Sequence, residues 1–233
     1  MAAWDPPVND LRAIFGTRLH CVVAYGGHAG AHAPAETPAH TLALVDALVL
    51  ADLDACARVA PHWRAAGIAI PLLLGTREFA RSLDAFPLEF GAIIANHRVL
   101  YGTDPFEGLE VPPHDLRRAC EIEAKGHLLH LRESYIESAG APDRIARLIE
   151  ASAPALRTLL ANVARLEGHT GNAPPSLAAH VGARLGPDHE RALAGVMSIA
   201  DSSVPASDAA RLFPAYLAAA EALAAYVDGW TRA

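Results

Sequence analysis

The chain has 233 residues, 52% of them hydrophobic and 19% charged. That balance excludes a disordered chain and fits one or two domains with real cores. The net charge is -7 and no strongly acidic or basic tail is present, so bulk electrostatics give no case for nucleic-acid or membrane binding.

In chain order, the first half predicts an α/β domain. Leu11 to Phe15 ends a short opening helix. Leu19 to Tyr25 (LHCVVAY) reads as a strand, bounded by Gly16 and Gly26–Gly27. Thr41 to Leu48 is a second candidate strand, although its apolar run is also compatible with a helix start. Asp52 to Ala66 predicts a helix with Asp52 at its cap and Gly67 at its stop. Ile68 to Leu74 predicts a third strand, placed at an edge or made irregular by Pro71. Thr76 to Ala85 and Leu88 to Asn96 read as helical, and Val99 to Tyr101 as a short last strand. Strands alternating with helices imply a sheet with helices packed on it.

Residues 104–113, rich in Pro, read as a linker between a domain at 1–103 and a helical bundle at 114–233. In the bundle, Asp115 to Ser138 is one long helix. Its Leu116, Cys120, Ala124, Leu128, Leu131 and Tyr135 recur at three- and four-residue spacing, which puts them on one face. Helices are also expected at Asp143 to Glu167, bent at Pro154, and at Ser176 to Leu185, Asp188 to Ala200 and Ser207 to Trp230. Three widely spaced cysteines, Cys21, Cys56 and Cys120, form no Cys-x-x-Cys and exclude a disulfide framework. A reducing, cytoplasmic setting is expected from this. The N-terminus has no basic start followed by an apolar run, so no signal peptide is expected, and no apolar run reaches membrane-spanning length.

The segment from Phe15 to Asp46 carries the functional signal. A strand runs into Tyr25-Gly26-Gly27, and a short Ala/Gly stretch follows before Thr41 to Leu48. This resembles the opening of the nucleotidyltransferase fold, and the helical half resembles the substrate-binding or HEPN-like bundles that accompany it. The resemblance implies an α/β nucleotidyltransferase-like domain, a mixed sheet with flanking helices, followed by an α-helical bundle. It implies ligand binding at Gly26, Gly27 and His28, where small residues let the backbone approach a triphosphate.

The resemblance also implies a metal site that these residues do not supply. Active members open the second strand with Asp-x-Asp or Asp-x-Glu, whose carboxylates hold two Mg²⁺ ions. The equivalent positions here are His40, Thr41 and Leu42, and the stretch matching the third carboxylate, Ile68 to Leu74, contains no acid. Asp46 lies roughly 13–20 Å from those positions at ~3.3 Å per strand residue. Asp46, Asp52, Asp54 and Glu89 remain as candidate catalytic acids. Asp52 and Asp54 form an Asp-Leu-Asp triplet, but at a helix start, where capping and the helix dipole account for them. His28, His32 and His40 are candidate metal ligands, balanced against a glycine-rich loop with solvated histidines. His127 and His130 are expected as one partly buried bundle residue and one exposed one.

Three functional readings follow. The first is a non-catalytic protein of this fold, a pseudoenzyme that binds a nucleotide, small ligand or protein partner in the cleft between domains. The second is a working metal-dependent nucleotidyltransferase with relocated carboxylates, the one case that calls for Mg²⁺. The third is an antitoxin-like or scaffold interaction module. In that case the helical face at Leu212 to Tyr226 would serve a homodimer.

Overall fold

The computed structural model describes residues 4–26, 39–169, 171, 173–199 and 204–231. The chain divides into two compact units, Met1–Val111 and Pro112–Ala233. The first is a mixed four-stranded sheet with flanking helices, and the second is helical.

The first unit opens with α1 (Asp5–Phe15) and a 3₁₀ turn, then β1 (Leu19–Tyr25), whose bounds are those read from the sequence. β2 (His40–Val45) pairs antiparallel with β1 and parallel with β3 (Leu72–Gly75), and β4 (His97–Gly102) closes the other side of β1 antiparallel. The order is therefore β3-β2-β1-β4, with β1 and β2 inside. Their near-continuous apolar sequences follow from this, because both of their faces are covered. Val22, Ala43 and Val45 point to a core formed with Leu11, Phe15, Cys56 and Trp63 from α1 and α2 (Leu50–Ala65). Cys21, Val23, Leu42 and Leu44 point to the opposite core, with Phe79 of α3 (Thr76–Phe79) and Phe90 and Ile93 of α4 (Pro87–Ala95).

Three elements are shorter than the sequence pattern predicts. β2 stops at Val45 because α2 begins at Leu50, and residues 46–49 connect them. β3 starts only at Leu72, after Pro71, which has no N–H to pair; before it Ile68 makes an isolated bridge to Ala39. The helix expected at Thr76 to Ala85 ends at Phe79. Residues 104–113, read as a linker, fall on both sides of the boundary. Phe106 is buried in the first unit's core with Leu109 and Val111 against it, while Pro113 opens α5. A phenyl ring of that size gains more from core burial than a linker position offers it.

The second unit consists of α5 (Pro113–Ser138), α6 (Pro142–Leu166), α7 (Pro174–Leu185), α8 (Pro187–Ile199) and α9 (Ala206–Asp228). Each of α5 to α8 has Pro at its first turn, where the missing N–H costs nothing. Leu116, Cys120, Ala124 and Leu131 of α5 are buried as the spacing implies. The α9 face proposed above for an oligomer is turned inward instead. Tyr216, Ala219 and Leu223 are buried, and Leu212 lies over Gly195 of α8. Arg117 of α5 donates to the carbonyls of Val227 and Asp228, satisfying the C-terminal end of α9. Among the described residues no helix is long and apolar enough to cross a membrane. The three thiols are buried, and burial pushes Cys21 up to about 11 and Cys120 up to about 12.

A polar chain ties α5, α6 and α9 together. Tyr216 donates to Ser152 Oγ at 3.1 Å, Ser152 donates to the Ile149 carbonyl at 3.0 Å, and His127 Nε2 meets the Tyr216 oxygen at 2.8 Å. With the phenol proton committed to Ser152, the imidazole is the donor. Burial, then the charge of His130, holds His127 at about 4, and burial pushes Tyr216 up to about 12. His130 is exposed, as expected.

Two outcomes follow. The unfolded chain binds a proton at His127 between about pH 6.5 and about pH 4 that the fold does not. This group's stability contribution is therefore complete above that window and lost as pH falls through it. Thermal unfolding across the window should show a smaller acid-induced drop for His127→Gln than for the parent. Gly102 has φ +77°, and a Cβ there would lie 1.9 Å from the His20 carbonyl oxygen. Gly102→Ala should lower unfolding free energy by more than ~2 kcal/mol in a urea titration.

Candidate functional site

The strand register brings three strand ends together. Tyr25 pairs with His40 on one side and with His97 on the other, so the exit of β1 meets the starts of β2 and β4. Gly26 follows with φ +76°. That value favours glycine and turns the chain without strain. Asn96 clamps the turn from across the sheet. Its carbonyl accepts from Gly26 N–H at 3.3 Å, and its side-chain amide donates to the Gly26 carbonyl at 3.0 Å.

Among the described residues, the side chains around this turn are aromatic, neutral polar or basic, apart from Asp104, which is paired with His97. His40 is exposed and stacks on Tyr25, with centroids 5.6 Å apart and planes at 28°. Thr41 is 1% exposed, and its hydroxyl has no hydrogen-bond partner among the described residues. Arg98, paired with Ala24, lies exposed with its guanidinium 5.6 Å from the Trp4 ring. His97 is held on both nitrogens. Nδ1 faces the carbonyls of Ile93 and Ile94 at 3.1 Å, and Nε2 faces both oxygens of Asp104 at 3.1 and 3.2 Å. The Phe106 N–H, then His97, holds the Asp104 carboxyl below the usual carboxylate range. Phe106 packs edge-on against the His97 ring at 4.8 Å. The Asp104 pair therefore anchors the segment after β4 to the strand end.

The four candidate acids lie elsewhere. Asp46 follows the far end of β2, where its carboxylate pairs with exposed His20. Five strand steps of ~3.3 Å separate it from Thr41. Asp52 is 6% exposed in the first turn of α2. Arg18 grips it through two bonds, at 2.9 and 2.6 Å, and it accepts the Val49 N–H at 3.2 Å. It sits inside the helix, with Val49 and not Asp52 at the cap. Arg18, then the Val49 N–H, keeps its carboxyl below the usual range. Asp54 is exposed on α2, and Glu89 is exposed in the first turn of α4. Glu89 is seven residues from Asn96, ~10 Å along a helix. Of the candidate ligand-binding and metal residues, Gly26 and His40 share the sheet end. Gly27, His28 and His32 lie outside the described residues. Among the described residues no three His, Cys, Asp or Glu side chains are grouped to hold a metal ion.

The sequence reading did not single out Asn96, His97, Arg98 or Asp104. Asn96-His97 immediately before a β-rich run was the only local signal, and what it meets depends on pairing with a strand about 70 residues earlier.

β1 to β4 contain no Asp or Glu. Position 42 is the more telling of the two expected carboxylate positions. Leu42 is 0% exposed within the core that holds Leu44, Leu74 and Phe90. Mg²⁺ requires oxygen ligands, carboxylates foremost, in near-octahedral geometry. An imidazole, one buried hydroxyl and a core leucine do not fit it.

No protein-family model matches the chain, and no curated protein does. Among solved structures, it is similar to spectinomycin adenyltransferase AAD(9) from Enterococcus faecialis, crystallised with ATP and spectinomycin. The TM-score is 0.55 over 95% of this chain and 98% of that chain, at 10% identity. The fold is nucleotidyltransferase-like. At that identity the likeness speaks for the fold and not for the chemistry.

The Arg18–Asp52 pair gives a prediction that separates structure from metal binding. Asp52→Asn leaves the Arg18 guanidinium without its partner and should lower stability. Its melting temperature should fall by the same amount in Mg²⁺ and in EDTA. A fall confined to Mg²⁺ would make Asp52 a metal ligand.

Proposed function

We propose that this chain binds a nucleotide or a related anionic small molecule at the Tyr25–Gly26 end of its sheet, without the two-metal phosphoryl transfer of the active nucleotidyltransferases. The observation that carries this reading is the acid-free sheet, with Leu42 buried where a metal-binding carboxylate would stand. With no carboxylate on β1 to β4 to hold metal ions, the sheet lacks the largest electrostatic contribution to phosphoryl transfer.

Binding itself is supported by chemistry and by likeness. Among the described residues, a Cβ at Gly26 would meet nothing within 4 Å. His40 puts an imidazole on the Tyr25 face of that sheet end and Arg98, paired with Ala24, a guanidinium on the opposite face, and either can meet a phosphate oxygen directly without a cation between them. The similar adenyltransferase structure contains ATP. These groups favour an anion recognised directly.

The test is calorimetric titration of the whole chain with ATP, CTP, GTP and UTP, each with Mg²⁺ and again with EDTA. At least one should bind with the same affinity in both conditions. Asn96→Ala and His40→Ala should each weaken that binding by about three- to tenfold, the worth of a lost hydrogen bond or stacked contact. Binding that requires Mg²⁺, or nucleotidyl transfer abolished by Asp46→Asn, would overturn the proposal in favour of a working enzyme. No binding of any of the four would overturn it in favour of a scaffold.

A further inference from the structure

The second unit buries its large apolar side chains with one concentrated exception. Among its described residues those left exposed are Ile122, Leu129, Tyr135 and Ile136, all on α5. Tyr135 is accounted for by its stack on Phe213, with centroids at 4.6 Å and planes at 7°. The other three, exposed at 66%, 56% and 77%, recur every seven residues. At that spacing a helical row drifts by only ~20° per repeat. The row lies roughly opposite Leu116, Cys120, Ala124 and Leu131, which face the bundle. Scattered exposed leucines need no explanation, but a straight row on one helix does.

Gly126 adds an independent observation. It sits mid-helix between Ile122 and Leu129, one position from each along the ridge. Glycine weakens a helix interior relative to alanine. Its φ is not positive, and a Cβ there would meet nothing within 4 Å. Nothing among the described residues requires this glycine, whereas a second helix backbone approaching α5 would.

We propose that α5 pairs in parallel with α5 of a second copy of this chain, Ile122, Leu129 and Ile136 forming the seam and Gly126 the point of closest approach. The charges select the second copy and the orientation. One flank of the row carries Arg118, Lys125 and Arg132, and the other, beyond Ala119, Gly126 and Glu133, carries Glu123, His130 and Glu137. In a parallel pair these flanks meet five residues out of step, so Arg118 faces Glu123 of the second copy and Arg132 faces Glu137. An antiparallel pair would set Arg118 against Arg132 and Glu123 against Glu137. Lys125 already pairs with Glu121 and Asp228, and Arg132 with Glu221, so Arg118 is the freest cation on its flank. The seam from Ile122 to Ile136 is only ~21 Å long. Glu133 lies within it and would face its own copy. Both features make the dimer a weak, micromolar one.

Sedimentation equilibrium of the full chain tests this. The parent should show a mass rising with concentration from one chain toward two. Leu129→Glu should be monomeric throughout, with unchanged helical content and melting temperature, because the side chain is exposed within the monomer. Glu133→Leu should tighten the dimer by at least about tenfold by removing the like-charged pair. Under mild oxidation Ile122→Cys should form a disulfide-linked dimer, since parallel pairing places residue 122 against itself. A single-chain mass for the parent and Glu133→Leu alike would overturn the proposal. So would a dimer indifferent to Leu129→Glu, or failure of Ile122→Cys to cross-link.

Discussion

β1 is hydrogen-bonded along both edges and covered on both faces, and the rest of the first unit is arranged around that fact. A strand so enclosed can hold only apolar residues between its ends, so polar groups are confined to the two ends of the sheet. At the start of β1 lie Arg18, His20, Asp46 and Asp52, which pair with one another. At its exit lie Tyr25, Gly26, His40, Asn96 and His97. The separation between these two polar ends is the length of β1, ~23 Å for seven residues. Charge paired at one end is therefore not available for chemistry at the other.

The fold was readable where local signals and tertiary environment agree. β1 is bounded by Gly16 and Gly26 and is rich in β-branched residues, and its bounds came out as read. β3 was harder, because Ile68 to Leu74 has the composition of a strand while Pro71 prevents continuous pairing. The helix through Thr76 to Ala85 failed for a related reason. Ser82 donates to the Glu78 carbonyl, a local bond that competes with helix continuation, and the regular helix ends at Phe79.

The candidate site was less readable, and the cause is sequence separation. Asp52 gave a correct signal of a helix beginning, but its partner Arg18 is 34 residues away. Asn96 meets Gly26 across 70 residues, and His127 meets Tyr216 across 89. No window of sequence contains either pair. What the sequence did contain was the absence of acids at positions 40 to 42, because an absence needs no partner to be seen. The α9 face illustrates the converse. Its spacing correctly marked an apolar stripe but could not say whether neighbouring helices or a second chain would cover it, and α8 and α6 do.

The burial of Leu42 limits how this sheet can be redesigned. Position 40 is at the solvent edge, and an aspartate written there would be hydrated at little expense. Position 42 has no such freedom, because a carboxylate there would enter an apolar core with no donor to meet it, at a cost of several kcal/mol. The two steps toward a metal-binding pair are thus unequal, and the harder one is blocked by packing before catalysis is at stake. A sheet of this kind tolerates change at its exposed positions, but a carboxylate pair at positions 40 and 42 requires the neighbouring core to be rebuilt first.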